Sequence, residues 1–132
     1  QDLVHHTLLH DDLSFKNGAV DWSVWLRTVG ADDVVDAERG PFFGHSHLVI
    51  QAAIDAQGVA LGRDVLVADA LADGRLVRPF EAMGLPLDYA YYIAHPEGAL
   101  QRPAVAAFSN WLLDEARASQ AASRGEITTG ES

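Results

Sequence analysis

The sequence contains no cysteine, which removes disulfides, thiolate nucleophiles and cysteine-ligated zinc together. Lysine is almost absent, with Lys16 alone beside eight arginines. Nineteen acidic residues against nine basic ones give a net charge of −10, so the basic face that phosphate binding needs is lacking and nucleic acid is not expected as a direct partner. The same deficit disfavours an anionic membrane surface. No apolar run approaches the ~20 residues of a membrane span. The opening Gln1-Asp2-Leu3-Val4 also lacks the basic-then-apolar plan of a secretory signal. A soluble, cytoplasmic protein is the simplest reading. Because the first residue is not methionine, a piece of something larger is expected. At 132 residues the default is one domain with a core able to stand alone.

What is present is concentrated between Phe43 and Phe80, where two helix-then-strand units follow one another. Ser46 is placed to cap the first helix, and Gly58 stands where a left-handed C-terminal glycine belongs. Val59-Ala60-Leu61 is short and uniformly apolar, the pattern of a strand buried on both faces. Asp64 can cap the second helix and Gly74 can end it. Leu76-Val77 is read as the next strand, closed by Pro79.

Before that stretch, His5 to Leu9 reads as a strand ending at a turn over Asp11-Asp12. Asn17-Gly18 is a turn signal. Asp21 caps a helix carrying Trp22, Trp25, Leu26 and Val29 at i, i+3, i+4 and i+7, stopped by Gly30. Val34-Val35 is read as a brief strand, and Arg39-Gly40-Pro41 as a turn before Phe42-Phe43. After it, Tyr89 to Ala94 is read as an aromatic-rich strand stopped by Pro96. Pro103 suits the first turn of a final helix, continued by Val105, Phe108 and Leu112. From about Ser119 the residues are small and polar, and 119–132 is expected to be a disordered or frayed tail.

Taken in order, these motifs are a strand, a Trp-x-x-Trp-Leu helix, a Phe-x-x-Ser helix with Gln-Ala-Ala, then Gly-Val-Ala-Leu. Leu-x-x-Gly-x-Leu-Val-x-Pro-Phe, a Tyr-Tyr strand and a Phe-x-x-Trp-Leu helix complete the series. The series resembles the C-terminal part of LysR-type transcriptional regulators, in the branch of the glycine-cleavage activator and the β-lactamase regulator. It runs from about Leu3 to Ala118, so residues 1–118 are read as a partial effector-binding domain. The resemblance implies an α/β fold like the type 2 periplasmic binding proteins, with two subdomains and a small effector between them. This sequence would supply mostly the second subdomain, plus the C-terminal helix of the first. The N-terminal winged helix-turn-helix, its linker helix and most of the first subdomain have no counterpart in it. The implied function is effector sensing without enzymatic activity, DNA being reached only through the missing helix-turn-helix.

Ser46 is the leading effector-binding residue, because free N–H groups and the positive dipole end at a helix N-terminus favour an anion such as a carboxylate. An ordinary capping role is the alternative. The resemblance adds Asn17 and Trp22, near the loop entering the Trp helix, and the returning strand, where Tyr91 is preferred and Tyr89 second. Trp25, Trp111 and Phe108 are read as packing. The expected partner is a small carboxylate or amino acid, and the expected assembly is a homodimer, by exchange of the C-terminal helix or by edge-strand pairing.

Two other readings compete. His5, His6 and His10 lie near Asp11 and Asp12, and His45-Ser46-His47 repeats the spacing of some metal sites, which allows a small metal-dependent hydrolase. Zinc needs three or four converging ligands, however, and Ser46 sits in no glycine-framed nucleophile elbow, so no metal, cofactor or catalytic residue is assigned. The other is a self-associating fragment with no ligand.

Overall fold

The computed structural model describes residues 2–12, 20–80, 85 and 91–125. They fall in two compact units, Gln1–Leu87 and Asp88–Ser132.

The first unit is built on a three-stranded parallel sheet. Its middle strand, β1 (Leu8–Asp11), lies between β2 (Phe42–Phe43) and β3 (Val59–Ala60), in the order β2-β1-β3. His10 is in register with Phe42 and Asp11 with Phe43, while Leu8 faces Val59 and Leu9 faces Ala60. Successive residues on a strand point to opposite faces, and Leu8 and Leu9 found two separate cores. Leu8 packs in one cluster with Trp22, Trp25, Leu26 and Val35. Leu9 packs with Val49 and Ala52 in the other. Helices therefore cover both faces, which is why β1 begins with two consecutive leucines, each only 1% exposed, rather than an alternation. The strand expected over His5 to Leu9 is shifted. Asp2–His5 is a 3-10 turn closed by the His6 N–H on the Leu3 carbonyl at 3.1 Å, and pairing with β2 carries β1 through Asp11. Asp11 thus ends a strand instead of opening a turn.

Helix α1 (Trp22–Thr28) forms as its sequence signals require. The Asp21 carboxylate accepts from the Val24 N–H at 2.9 Å and the Ser23 hydroxyl at 2.7 Å. Trp22, Trp25 and Leu26 are buried, and Gly30 (φ +68°) ends the helix, its N–H reaching Arg27 O and that of Ala31 reaching Leu26 O. Partial burial pushes the Asp21 carboxyl up, but hydrogen bonds from Val24 and Ser23 and the Arg27 charge outweigh this and leave it below its ordinary value. A depressed carboxylate pKa stabilises the fold above the unfolded value and loses that contribution as pH falls through the folded one. Asp21→Ala is accordingly expected to cost about 1 kcal/mol at neutral pH. Urea titrations at pH 7 and pH 3 check this, since the gap from the unmodified chain should narrow at the lower pH.

Two glycines let the flanking chain approach β1. Gly40 has φ +125°, and a Cβ there would lie 1.9 Å from the Leu8 carbonyl oxygen. A Cβ on Gly58 would lie 2.3 Å from the Thr7 oxygen. Gly58 is therefore required by close packing, not by a left-handed turn. The left-handed residue after α2 (Ser46–Ile54) is Ala56, φ +57°. Around it the Gln57 N–H bonds to Ala52 O and that of Ala56 to Ala53 O, both at 3.0 Å, a Schellman closure formed without glycine.

Helix α3 (Asp64–Ala72) ends at Gly74 (φ +75°) as expected. Arg63 holds its cap position, and Asp64 lies in the first turn, where it pairs with Arg78 at 3.2 Å. Neither apolar pair read as a strand forms one. Val34 and Val35 close a helical turn by bonding their N–H groups to Ala31 O, which buries Val35 and leaves Val34 outside. Leu76 returns its N–H to Ala70 O, and Val77 is 80% exposed. Both pairs lack a neighbouring strand among the described residues, and without one a two-residue apolar run has no ladder to join.

In the second unit, the described part of the expected Tyr89–Ala94 strand, residues 91–94, is irregular and exposed. A 3-10 turn (Ala99–Gln101) leads into α4 (Pro103–Gly125), with Pro103 at its first position. This helix continues past Ser119. Phe108 and Trp111 stack on each other, ring centroids 5.7 Å apart, yet more than half of each is exposed.

Candidate functional site

All three strands are parallel, so their carboxyl ends lie on one edge of the sheet. The chain leaves β1 to form β2 on one side, then crosses through α2 to form β3 on the other. The carboxyl end of β1 is thus the point at which the winding reverses, the place where open α/β sheets bind ligands. Asp11 ends β1 there. Beyond Phe43 at the end of β2, Gly44 and His45 lead directly into α2 at Ser46. Asp11 shares the face of Leu9, the face that α2 covers, and the Ser46 hydroxyl donates to the Asp11 carboxylate across 35 residues of sequence.

Beside this pair is a cavity of about 30 Å³ lined by His10, Asp11, Trp22, Phe42 and Leu61 among others. It has room for a water or two, far below the ~300 Å³ of a small-molecule pocket. His10 is buried, stacks on Phe42 with centroids 4.3 Å apart, and donates from Nε2 to the Arg39 carbonyl at 3.2 Å. It is a satisfied core residue.

The positions named from sequence fare differently. Ser46 is half-buried and begins α2, but His45 holds the cap position and offers no side-chain cap. The Ser46 hydroxyl acts on Asp11 in place of capping. Trp22 is 3% exposed, and its indole N–H is taken by the Leu9 carbonyl at 3.0 Å. Trp22 is among the residues that line the cavity. Tyr91 is 72% exposed and belongs to the second unit. Asn17 and Tyr89 lie outside the described residues. Sequence reasoning places Asp11 in a turn and in the metal-ligand alternative, not beside Ser46; the signal for its position is a carboxylate two residues after the apolar Leu8-Leu9 pair, at the end of a strand. His45 and His47 stack with centroids 5.5 Å apart. Among the described residues no three His, Asp or Glu side chains gather to hold a metal, and no helix is long and apolar enough to cross a membrane.

Comparison with known proteins gives this edge its context. The chain is 38% identical over 120 residues to the glycine cleavage system transcriptional activator of Escherichia coli K12, covering 91% of the chain and 37% of that protein. It is 36% identical over 118 residues to the transcriptional regulator DsdC of the same strain, again 37% of the relative's length. The chain thus spans little more than a third of the curated relatives it matches. The effector domain of the transcriptional regulator AmpR of Pseudomonas aeruginosa superposes with a TM-score of 0.57 at 25% identity, over 96% of this chain and 56% of that one. The fold is accordingly α/β and periplasmic-binding-protein-like, and these relatives are regulators, which leaves the hydrolase reading without support. Residues 1–117 match the LysR substrate binding domain, and the chain belongs to that family.

Proposed function

We propose that this chain is the effector-sensing portion of a LysR-type regulator, contributing mainly the second subdomain and without enzymatic activity of its own. The observation that supports the reading best is the meeting of Asp11, at the carboxyl end of β1, with Ser46, at the start of α2, on the edge where the sheet reverses. A small carboxylate or amino acid would bind there, against Ser46 and the edge of Trp22. Asn17 is a further proposed contact, and Tyr91 and Tyr89, which belong to the second unit, are proposed effector contacts in their own right. A ligand of this kind acts by binding one arrangement of the domain better than another. In the intact cytoplasmic regulator that preference would reach DNA through a helix-turn-helix. A chain with a net charge of −10 would not contact DNA itself.

Thermal unfolding in the presence of small carboxylates and amino acids tests the reading. A ligand at 100 times its Kd adds about 2.7 kcal/mol, which for a domain of this size raises Tm by roughly 10 °C. Ser46→Ala should abolish the shift; an undiminished shift would remove Ser46 from the site.

We also propose that the chain is a homodimer in solution. The exposed Phe108–Trp111 stack on α4 is apolar surface of the kind that finds a partner. Light scattering at high micromolar concentration should give twice the chain mass, and a clean monomer there would end the proposal.

A further inference from the structure

We propose that Asp11 is a built-in competitor for the effector, holding the Ser46 hydroxyl until a ligand carboxylate displaces it. The proposal rests on Ser46 being an effector contact and adds to that reading a residue that opposes binding. Ser46 has one hydroxyl hydrogen, and Asp11 accepts it. A ligand carboxylate held by the same hydroxyl must take the same hydrogen, so the two acceptors exclude each other. They are also chemically alike. Each is an anion at the N-terminus of α2, where the positive dipole end favours one negative charge and a second at the same spot is repelled by the first.

The fold keeps Asp11 in position without help from Ser46. Its backbone is paired in register with Phe43, and the preceding Leu9 anchors its face of the sheet against α2. Asp11 is therefore a rival tethered at the site by its backbone, and its effective concentration at Ser46 does not fall as ligand is added. Affinity for a free carboxylate is lowered by the strength of this charged hydrogen bond, and the bond joining β1 to α2 opens when a ligand wins.

The test uses acetate as probe and methylammonium as the control of opposite charge, titrated by calorimetry and thermal shift into the unmodified chain, Asp11→Ala and Asp11→Asn. Asp11→Ala should bind acetate roughly tenfold more tightly than the unmodified chain, as expected when a hydrogen bond to a charged group no longer competes. Asp11→Asn keeps an acceptor oxygen but loses the charge, and should fall between them. It also preserves side-chain shape if Asp11→Ala unfolds. Methylammonium should gain nothing in either variant. Equal or weaker acetate binding by both variants, including no binding by any form, overturns the proposal. So does a gain that survives in the Asp11→Ala, Ser46→Ala double variant, because a general loss of negative charge would then explain it. The two readings fail separately. If Ser46→Ala leaves binding by the unmodified chain intact, Ser46 is not the contact. If it abolishes binding and neither Asp11 variant strengthens it, only the competitor role falls.

Discussion

Gly40→Ala is expected to lower unfolding free energy by about 4 kcal/mol, at the upper end of what single substitutions do. Two costs add. The backbone at φ +125° lies where residues with a Cβ are rarely found. The new Cβ would then sit 1.9 Å from the Leu8 carbonyl oxygen, and the obstacle is backbone of the central strand, not the end of a flexible side chain. Relief requires moving the turn away from β1, and that turn supplies the Pro41 carbonyl bonded by the His10 N–H at 3.0 Å. Gly30→Ala is the matched control. It too has positive φ (+68°), but no atom within 4 Å of the added Cβ, so its cost should stay near 1 kcal/mol. Urea unfolding of both variants decides the matter. Equal midpoints would show that backbone conformation, and not the approach to Leu8, makes Gly40 necessary.

This comparison also shows what a sequence read alone can and cannot carry. Features that act within a few residues were legible. Asp21 caps α1, Gly30 and Gly74 end helices with positive φ, and Pro103 opens α4. The Trp22-Trp25-Leu26 stripe turned inward as its spacing demanded. Features decided by a distant partner were not. Gly58 follows a helix, so a left-handed terminus is the local explanation, yet what requires it is the Thr7 oxygen fifty-one positions earlier. Val34-Val35 and Leu76-Val77 have strand-forming side chains but no strand beside them among the described residues, and a sheet needs a neighbour as well as a propensity. The candidate site divides the same way. That a helix starts at Ser46 is legible because a helix start is a local signal, although His45 takes the cap position. Asp11 reads as part of a turn because two consecutive aspartates suggest one, and only pairing with β2 makes the first of them the last residue of a strand.

The second large effect is expected at Trp22, where Trp22→Ala should cost about 3–5 kcal/mol, the range for deleting a buried aromatic. Three contacts are lost together. The ring packs edge-on against Trp25, centroids 5.6 Å apart and planes at 82°, a geometry that adds to simple burial. The cluster it fills contains Leu8 and the fully buried Leu26, so a void there opens beneath the central strand. The Leu9 carbonyl also loses its indole donor, held at 3.0 Å. Trp22→Phe separates these contributions, since it keeps most of the ring volume and the edge contact but removes the N–H, and should cost about 1–3 kcal/mol. Urea unfolding of the two variants measures both, and a cost for Trp22→Ala below about 1 kcal/mol would mean the ring is not part of the core. The outcome bears on the site as well. A residue so committed to packing can shape the edge beside Asp11 but has no free donor to give a ligand, so effector affinity in Trp22→Phe should stay within a few-fold of the unmodified chain. A large loss of affinity at near-native stability would instead make the indole N–H a ligand contact, exchanged from Leu9 on binding.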